Sequence, residues 1–340
     1  MNLFADLIAC PTCGAALDGL TCRGCGAGYA EDTGVLRLRA ASNARTEAVR
    51  EFYEAAPFPG YPPKDSLGWL RARAERSAFA RLLDQAIAGD ARIVEVGCGT
   101  GQMSLYLARA DRVVVGADLT MASLRLAESA RRRFGLERVR FVESDLFHPA
   151  LKAGGFDVVY CSGVLHHTPD PKAAFAQVAR LAKPGGMIVL GLYNAVARIP
   201  LRLRRVAARL SNYRWIPFDP VLRDRASEPA RREAWLRDQY RHPEEHLHTV
   251  GEVIGWFRAN DVDFVRAYPS AQVHDDEPDD LFAAEPDAWA PERWLAQIGW
   301  MASLGHEGGL WVMVGRRRDE ADEPPLKLGV QTGFKSVALS

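Results

Sequence analysis

The stretch Arg92-Ile93-Val94-Glu95-Val96-Gly97-Cys98-Gly99-Thr100-Gly101 decides the fold. Its first five residues read as a short β-branched strand. Glycine then stands at every second position, which suits a turn whose backbone approaches a ligand closely and adopts conformations that a side chain forbids. Beyond the turn, Met103, Tyr106, Leu107 and Ala110 recur at helical spacing. A dinucleotide fingerprint G-x-G-x-x-G needs glycine at 102, and Gln102 stands there instead. That departure turns the reading away from a dehydrogenase.

Downstream, strand and helix signals alternate. Val113–Asp118 reads as a second strand, with an acid at its end about 20 residues past the turn, the placement that accepts ribose hydroxyls. Val139–Glu143 runs into Ser144-Asp145-Leu146, and Phe156–Cys161 runs into Ser162-Gly163-Val164-Leu165-His166-His167. Asp170-Pro171 supplies an N-cap and first helical residue. Lys183-Pro184-Gly185-Gly186 reads as a turn into a fifth strand, Met187–Leu190. Such alternation predicts an α/β fold with a mostly parallel sheet and a ligand at the strands' carboxyl ends. Two later segments, Val262–Tyr268 and Leu310–Gly315, fit a closing antiparallel hairpin, and Thr249–Glu252 reads as a capping box before the first of them.

Residues from about 90 to 193 resemble class I methyltransferases of the group typified by ubiquinone and menaquinone enzymes. The resemblance is carried by E-V-G-C-G-T-G, G-A-D, E-S-D-L, C-S-G-V-L-H-H and K-P-G-G, in that order and at strand ends. It implies a Rossmann-like sheet and S-adenosylmethionine as cofactor, whose sulfonium amino acid, unlike a pyrophosphate, does not need the helix N-terminus. It further implies that Gly97, Gly99 and Gly101 pass under the methionine part, Asp118 binds the ribose, Leu119 packs on adenine, and Asp145 with Leu146 meets the adenine edge. Backbone around Ser162 would hold the methionine end. Glu95, Cys98, Gln102 and Ser144 complete the candidate cofactor set. Methyl transfer to an oxygen acceptor needs a base, and His166 and His167, just past the fourth strand, are the candidates; capping the loop or packing on the sheet is the alternative for both.

Cys10-x-x-Cys13 and Cys22-x-x-Cys25 lie eight residues apart, each pair followed by glycine. Two such knuckles offer four thiolates to a structural Zn²⁺ with no open coordination position; a disulfide pair or redox dithiol is the competing reading. This ribbon resembles the small zinc-binding partner of tRNA, rRNA and release-factor methyltransferases, with Gly34-Val35-Leu36 as a weaker echo. That likeness implies either a scaffold or a recognition role.

The expected organisation is a zinc ribbon at 1–40, a linker or cofactor lid at 41–75 and a methyltransferase domain at 76–318. Insertions fall at about 194–248 and 270–309, and a mobile tail at 319–340. Tyr53 and Phe58 of the linker are candidates to close the pocket. Trp215, Tyr213, Trp235, His246 and His248 are acceptor-side candidates by position alone.

Net charge is zero, which gives no global case for nucleic acid. Locally, Arg198 to Arg241 holds twelve Arg and five acids, and Ala271 to Asp287 holds seven acids and no Lys or Arg. These segments suit either partners of opposite charge or solvated faces. No run approaches about 18 apolar residues, and the N-terminus lacks a secretory pattern, so the expectation is a cytoplasmic protein without a membrane span. The leading functional expectation is methyl transfer to a small molecule at O, N or C. RNA (tRNA) or protein methylation through the ribbon and the Arg-rich insertion, and a non-catalytic cofactor-binding regulator, are the alternatives. Oligomeric state is not legible.

Overall fold

The computed structural model describes residues 3–40, 44–54, 66–224, 228, 232–233, 235–236, 239–240, 245–273, 278–286, 288–304 and 308–319. Phe58, most of the expected tail and parts of both insertions lie outside them.

The N-terminal segment holds two small hairpins, β1 (Leu17–Asp18) with β2 (Thr21–Cys22), and β3 (Ala30–Asp32) with β4 (Val35–Arg37). Helices α1 (Ala44–Glu54), α2 (Leu67–Ala74) and α3 (Ala78–Ala86) follow. The alternating unit is β5 (Arg92–Val96), α4 (Gln102–Leu107), β6 (Val113–Asp118), α5 (Met121–Arg133), β7 (Val139–Glu143), β8 (Phe156–Ser162), α6 (Pro171–Ala179) and β9 (Ala182–Tyr193). The rest comprises α7 (Ile199–Leu210), α8 (Pro220–Asp224), α9 (Val250–Ala259), β10 (Val262–Tyr268), α10 (Ala290–Ser303) and β11 (Leu310–Arg317).

Nine strands form one sheet in the order β10-β11-β9-β8-β5-β6-β7-β4-β3. The strands from β4 to β9 pair in parallel. β11 runs antiparallel against β9, and β10 antiparallel against β11. Both faces are covered, so these strands are apolar almost throughout rather than alternating. Successive side chains still part to opposite faces: Val94 and Val96 enter one core, and Ile93 the other. The helix starts read from sequence have their caps, with Asp170 Oδ1 accepting from Ala173 N–H and Thr249 Oγ1 from Glu252 N–H.

Two details differ from the sequence reading. The Lys183–Gly186 turn is an excursion inside a strand: Ala182 pairs with Phe156 and Met187 with Val158, leaving four residues of β9 opposite Asp157. The ribbon is also continuous with the sheet. Leu36 and Arg37 pair with Val142 and Glu143, and Ile8 bridges Leu151. Leu7, Ile8, Leu36 and Leu38 are buried in the same core as Val142 and Leu151.

The segment after β9 is fastened at its root. Asn194 Oδ1 accepts from the N–H groups of Val196 and Ala197, while its amide donates to Gln297 of α10. A small core of Leu201, Ala208, Leu222, Leu236 and Tyr240 holds the segment together. Arg198 is buried and meets Glu245, which also takes Arg205 in a two-pronged pair. None of the described helices is long and apolar enough to cross a membrane.

Candidate active site at the strand ends

A cavity of about 590 Å³ opens where β5, β6, β7, β8 and β9 end, within the range usual for small-molecule sites. Of the cofactor candidates, Glu95, Gly97, Cys98, Gly99, Gln102, Asp118, Leu119, Ser144, Asp145, Leu146 and Ser162 line it. Gly101 does not. At φ +74° its missing Cβ would stand 2.7 Å from the Phe141 ring, so the bare backbone here lets the turn pack against the sheet. Gly97 lines the cavity, yet a Cβ there would strike Val164 at 2.2 Å; the bare backbone lets the loop after β8 fold against the turn.

Two acids form the cavity floor. Asp118 accepts from Gly99 N–H at 2.7 Å, from Thr120 N–H at 2.9 Å and from the Thr120 hydroxyl at 2.6 Å, so its carboxylate locks the glycine turn. Burial raises its pKa, partly offset by these donors. Glu95 accepts from Ser104 N–H at 2.7 Å and from the Ser104 hydroxyl. Burial pushes its carboxyl up to about 8, with Asp118 adding to the shift. Neither acid has an ion-pair partner among the described residues. Gln102 takes a hydrogen bond from Arg73 on its Oε1, which directs its amide nitrogen elsewhere. That nitrogen is buried without a hydrogen-bond partner among the described residues.

The opposite wall comes from the segment read as a linker. Thr46, Val49, Arg50 and Tyr53 of α1, with Leu70 and Arg73 of α2, line the cavity. Phe79, Met103, Tyr106, Phe147 and Val164 make the remainder strongly apolar.

The two histidines part company. They sit in a short 3₁₀ turn, Leu165–His167, whose three-residue period points neighbours in different directions. His167 lines the cavity. His166 is buried outside the lining, its ring 3.8 Å from that of Tyr193 and its carbonyl accepting from His246 N–H. Tyr193, at the end of β9, also lines the cavity. Its hydroxyl accepts from Gln239 at 2.6 Å, and the Arg198 guanidinium lies 3.6 Å from its ring centre. Sequence reasoning stopped the strand at Leu190 and missed it, although the strand-end rule would have found it. Trp215, Tyr213, Trp235, His246 and His248, nominated by position, are not among the lining residues.

At the other end of the chain, the sulfur atoms of Cys10, Cys13, Cys22 and Cys25 lie within 4.8 Å of one another. Cys10 and Cys25 sulfurs stand 3.7 Å apart, and Cys13 and Cys22 sulfurs 3.4 Å. The knuckles repeat one geometry. Cys10 N–H bonds Ala15 O and Gly14 N–H bonds Cys10 O, just as Cys22 N–H bonds Ala27 O and Gly26 N–H bonds Cys22 O. Gly14 and Gly26 both take positive φ, and Gly24 and Cys25 N–H groups point at the Cys22 sulfur.

With this geometry in view, residues 94–190 match the family described as "Methyltransferase domain". An uncharacterised protein of Synechococcus sp. is 28% identical over 275 residues, covering 73% of this chain and 62% of the relative. The ubiquinone biosynthesis O-methyltransferase of Cronobacter sakazakii is 34% identical over 107 residues, 32% of this chain and 44% of that enzyme. The chain thus spans less than two thirds of either relative. Among solved structures, magnesium protoporphyrin IX methyltransferase from Synechocystis, with bound SAM, aligns with 82% of this chain and 99% of its own at 14% identity and a TM-score of 0.46. Residues 94–190 thus match a methyltransferase domain, and the sheet they contribute to is framed by the final antiparallel pair β10 and β11 and by the cysteine ribbon's β3 and β4.

Proposed function

We propose that this protein transfers a methyl group from S-adenosylmethionine to a small, largely apolar molecule carrying an oxygen, nitrogen or carbon acceptor. The supporting observation is the pair of acids on the cavity floor, Glu95 buried and Asp118 half-buried, with no counter-cation among the described residues. Burying such groups is costly without a partner, and a ligand bearing both cationic centres and ribose hydroxyls supplies one. Glu95 would face the cationic amino-acid end, Asp118 the ribose, and the amide of Gln102 an anionic oxygen of the ligand. The bound cofactor contributes an already activated methyl group. What the chain adds is alignment, exclusion of water by the apolar wall of α1 and Phe79, and a base. His167, which lines the cavity, would take a proton from an acceptor hydroxyl; His166 instead packs on Tyr193. The apolar enclosure favours a small acceptor over a polynucleotide. The four cysteines would hold a structural Zn²⁺, since sulfurs on a tetrahedron at 2.3 Å stand about 3.8 Å apart, near the spacings seen.

The test is calorimetry with S-adenosylhomocysteine, followed by transfer of labelled methyl from S-adenosylmethionine to hydroxylated aromatic acceptors. Because Glu95 titrates near 8 in the free protein, a cation beside it lowers that value, and binding below pH 8 then releases a proton. Affinity should rise about tenfold between pH 6.5 and 8 and level off above, following linkage. Glu95→Gln should flatten that profile. A wild-type profile without a slope, or heats independent of buffer ionisation enthalpy, would remove Glu95 from the site.

A further inference from the structure

Helix α7 departs from the usual amphipathic arrangement. A surface helix normally turns its apolar stripe inward and its polar face to water. At about 100° per residue, Ile199, Leu203, Val206 and Leu210 fall within an arc of about 60°. That arc faces solvent, with Leu203 67% and Leu210 85% exposed. Leu201 and Ala208, on the opposite side, are the residues buried against the protein. The helix is therefore apolar on both faces, and only the inner one has a partner.

Cations border the outer stripe. Arg202 and Arg209 are exposed along one edge, and Arg214 is exposed beyond the helix end. From Arg198 to Phe218 there is no Asp or Glu. Trp215 and Phe218, following the helix, are 61% and 94% exposed. Neighbouring α10, whose Met301 shares a small cleft with Leu201 and Arg204 of α7, exposes Trp294 and Ile298 as well.

Contiguous exposed apolar surface rimmed by charge marks an interaction site. The charge selects the partner. Arginines without acids call for an anionic surface, and an apolar stripe between them needs a layer it can enter. RNA would satisfy the arginines and leave Leu203 and Leu210 in water. A bilayer interface satisfies both: aliphatic side chains sink below the headgroups, guanidinium groups meet lipid phosphates, and Trp and Phe rings settle at headgroup level. We propose that α7, with Trp215 and Phe218, docks this protein peripherally on an anionic lipid surface. This proposal stands independently of the methyl-transfer reading.

Flotation of the intact protein with vesicles tests it, using phosphatidylcholine alone and phosphatidylcholine mixed with phosphatidylglycerol. The expected result is binding to the mixed vesicles that weakens as salt rises. A Leu203→Glu and Leu210→Glu double variant should bind at least about tenfold less. An Arg202→Glu and Arg209→Glu double variant should lose about tenfold in preference for the anionic vesicles. All four side chains are exposed, so the thermal transition and homocysteine-cofactor binding should not change, and those two measurements report folding separately. No binding to mixed vesicles at low salt would overturn the proposal, as would undiminished binding by the leucine variant. So would a wild-type dimer that the leucine variant converts to monomer without any vesicle binding, which would make the stripe a contact between copies.

Discussion

Cys22→Ser is expected to cost the protein the zinc proposed for its cysteine ribbon and, with it, a large part of its global stability. The four sulfurs cluster within 4.8 Å in the folded chain, where four thiols held together without an ion would gain little. Structural zinc contributes about 10–16 kcal/mol apparent free energy in isolated finger peptides. Losing even a third of that, roughly 4 kcal/mol, lowers Tm by about 8–16 °C at the 2–4 °C per kcal/mol typical of larger domains. In a freely tethered ribbon this loss would stay local. Here β4 is a strand of the central sheet, paired with β7, and Leu7, Ile8, Leu36 and Leu38 fill the same core as Val142 and Leu151. Arg37 also reaches Glu143 at 2.9 Å. Loosening the knuckles therefore exposes the edge of β7, next to the strand that ends in Asp118. The expected readings are about one zinc per chain by elemental analysis, none in the variant, and a single shifted melting transition. A wild-type protein without zinc, or a variant whose main transition is unmoved, would show that the cysteines do not hold this sheet together.

The strands and their ends were legible because each carries its own signal. β5, β6 and β7 are β-branched runs that end at a glycine or an acid. The apolar wall facing them was less legible. Residues 41–75 read as a linker with a lid role, and only the structure brings Thr46, Val49, Arg50 and Leu70 to the cavity. The ribbon's place in the sheet had no local mark at all. It rests on two paired positions, Leu36 with Val142 and Arg37 with Glu143, more than a hundred residues apart in the chain. Periodicity reports which face of a segment is buried, and does not report what buries it. The same gap explains the histidines. Sequence placed His166 and His167 together, and a 3₁₀ turn sends one to the cavity and the other to Tyr193. It also explains α7, whose apolar positions outnumber what one buried face can use, a surplus visible only once Leu201 and Ala208 are known to be the inner ones.

Asp118→Ala is expected to weaken S-adenosylhomocysteine binding about 100-fold, the largest effect of any single change in the cavity. Two consequences combine. The carboxylate is the ribose acceptor under the proposed function, and one hydrogen bond to a charged group contributes about 1.5–3 kcal/mol, which is roughly 10- to 150-fold in affinity. The same carboxylate orders the turn, because Oδ2 holds Gly99 N–H and Oδ1 holds both donors of Thr120. Removing it leaves those groups without their partner and frees a glycine at φ +52° to leave the conformation that shapes the cavity floor. Asp118→Asn separates the two roles. Its side-chain oxygen keeps one acceptor for the turn but loses the charge and half the acceptor capacity toward ribose, so a loss of about tenfold is expected. Calorimetry on both variants, with melting curves to show that the sheet is intact, measures the difference. A folded Asp118→Ala protein that binds within threefold of wild type would mean that the acid at the end of β6 closes the glycine turn and nothing more, and the cofactor's ribose would then have to lie elsewhere.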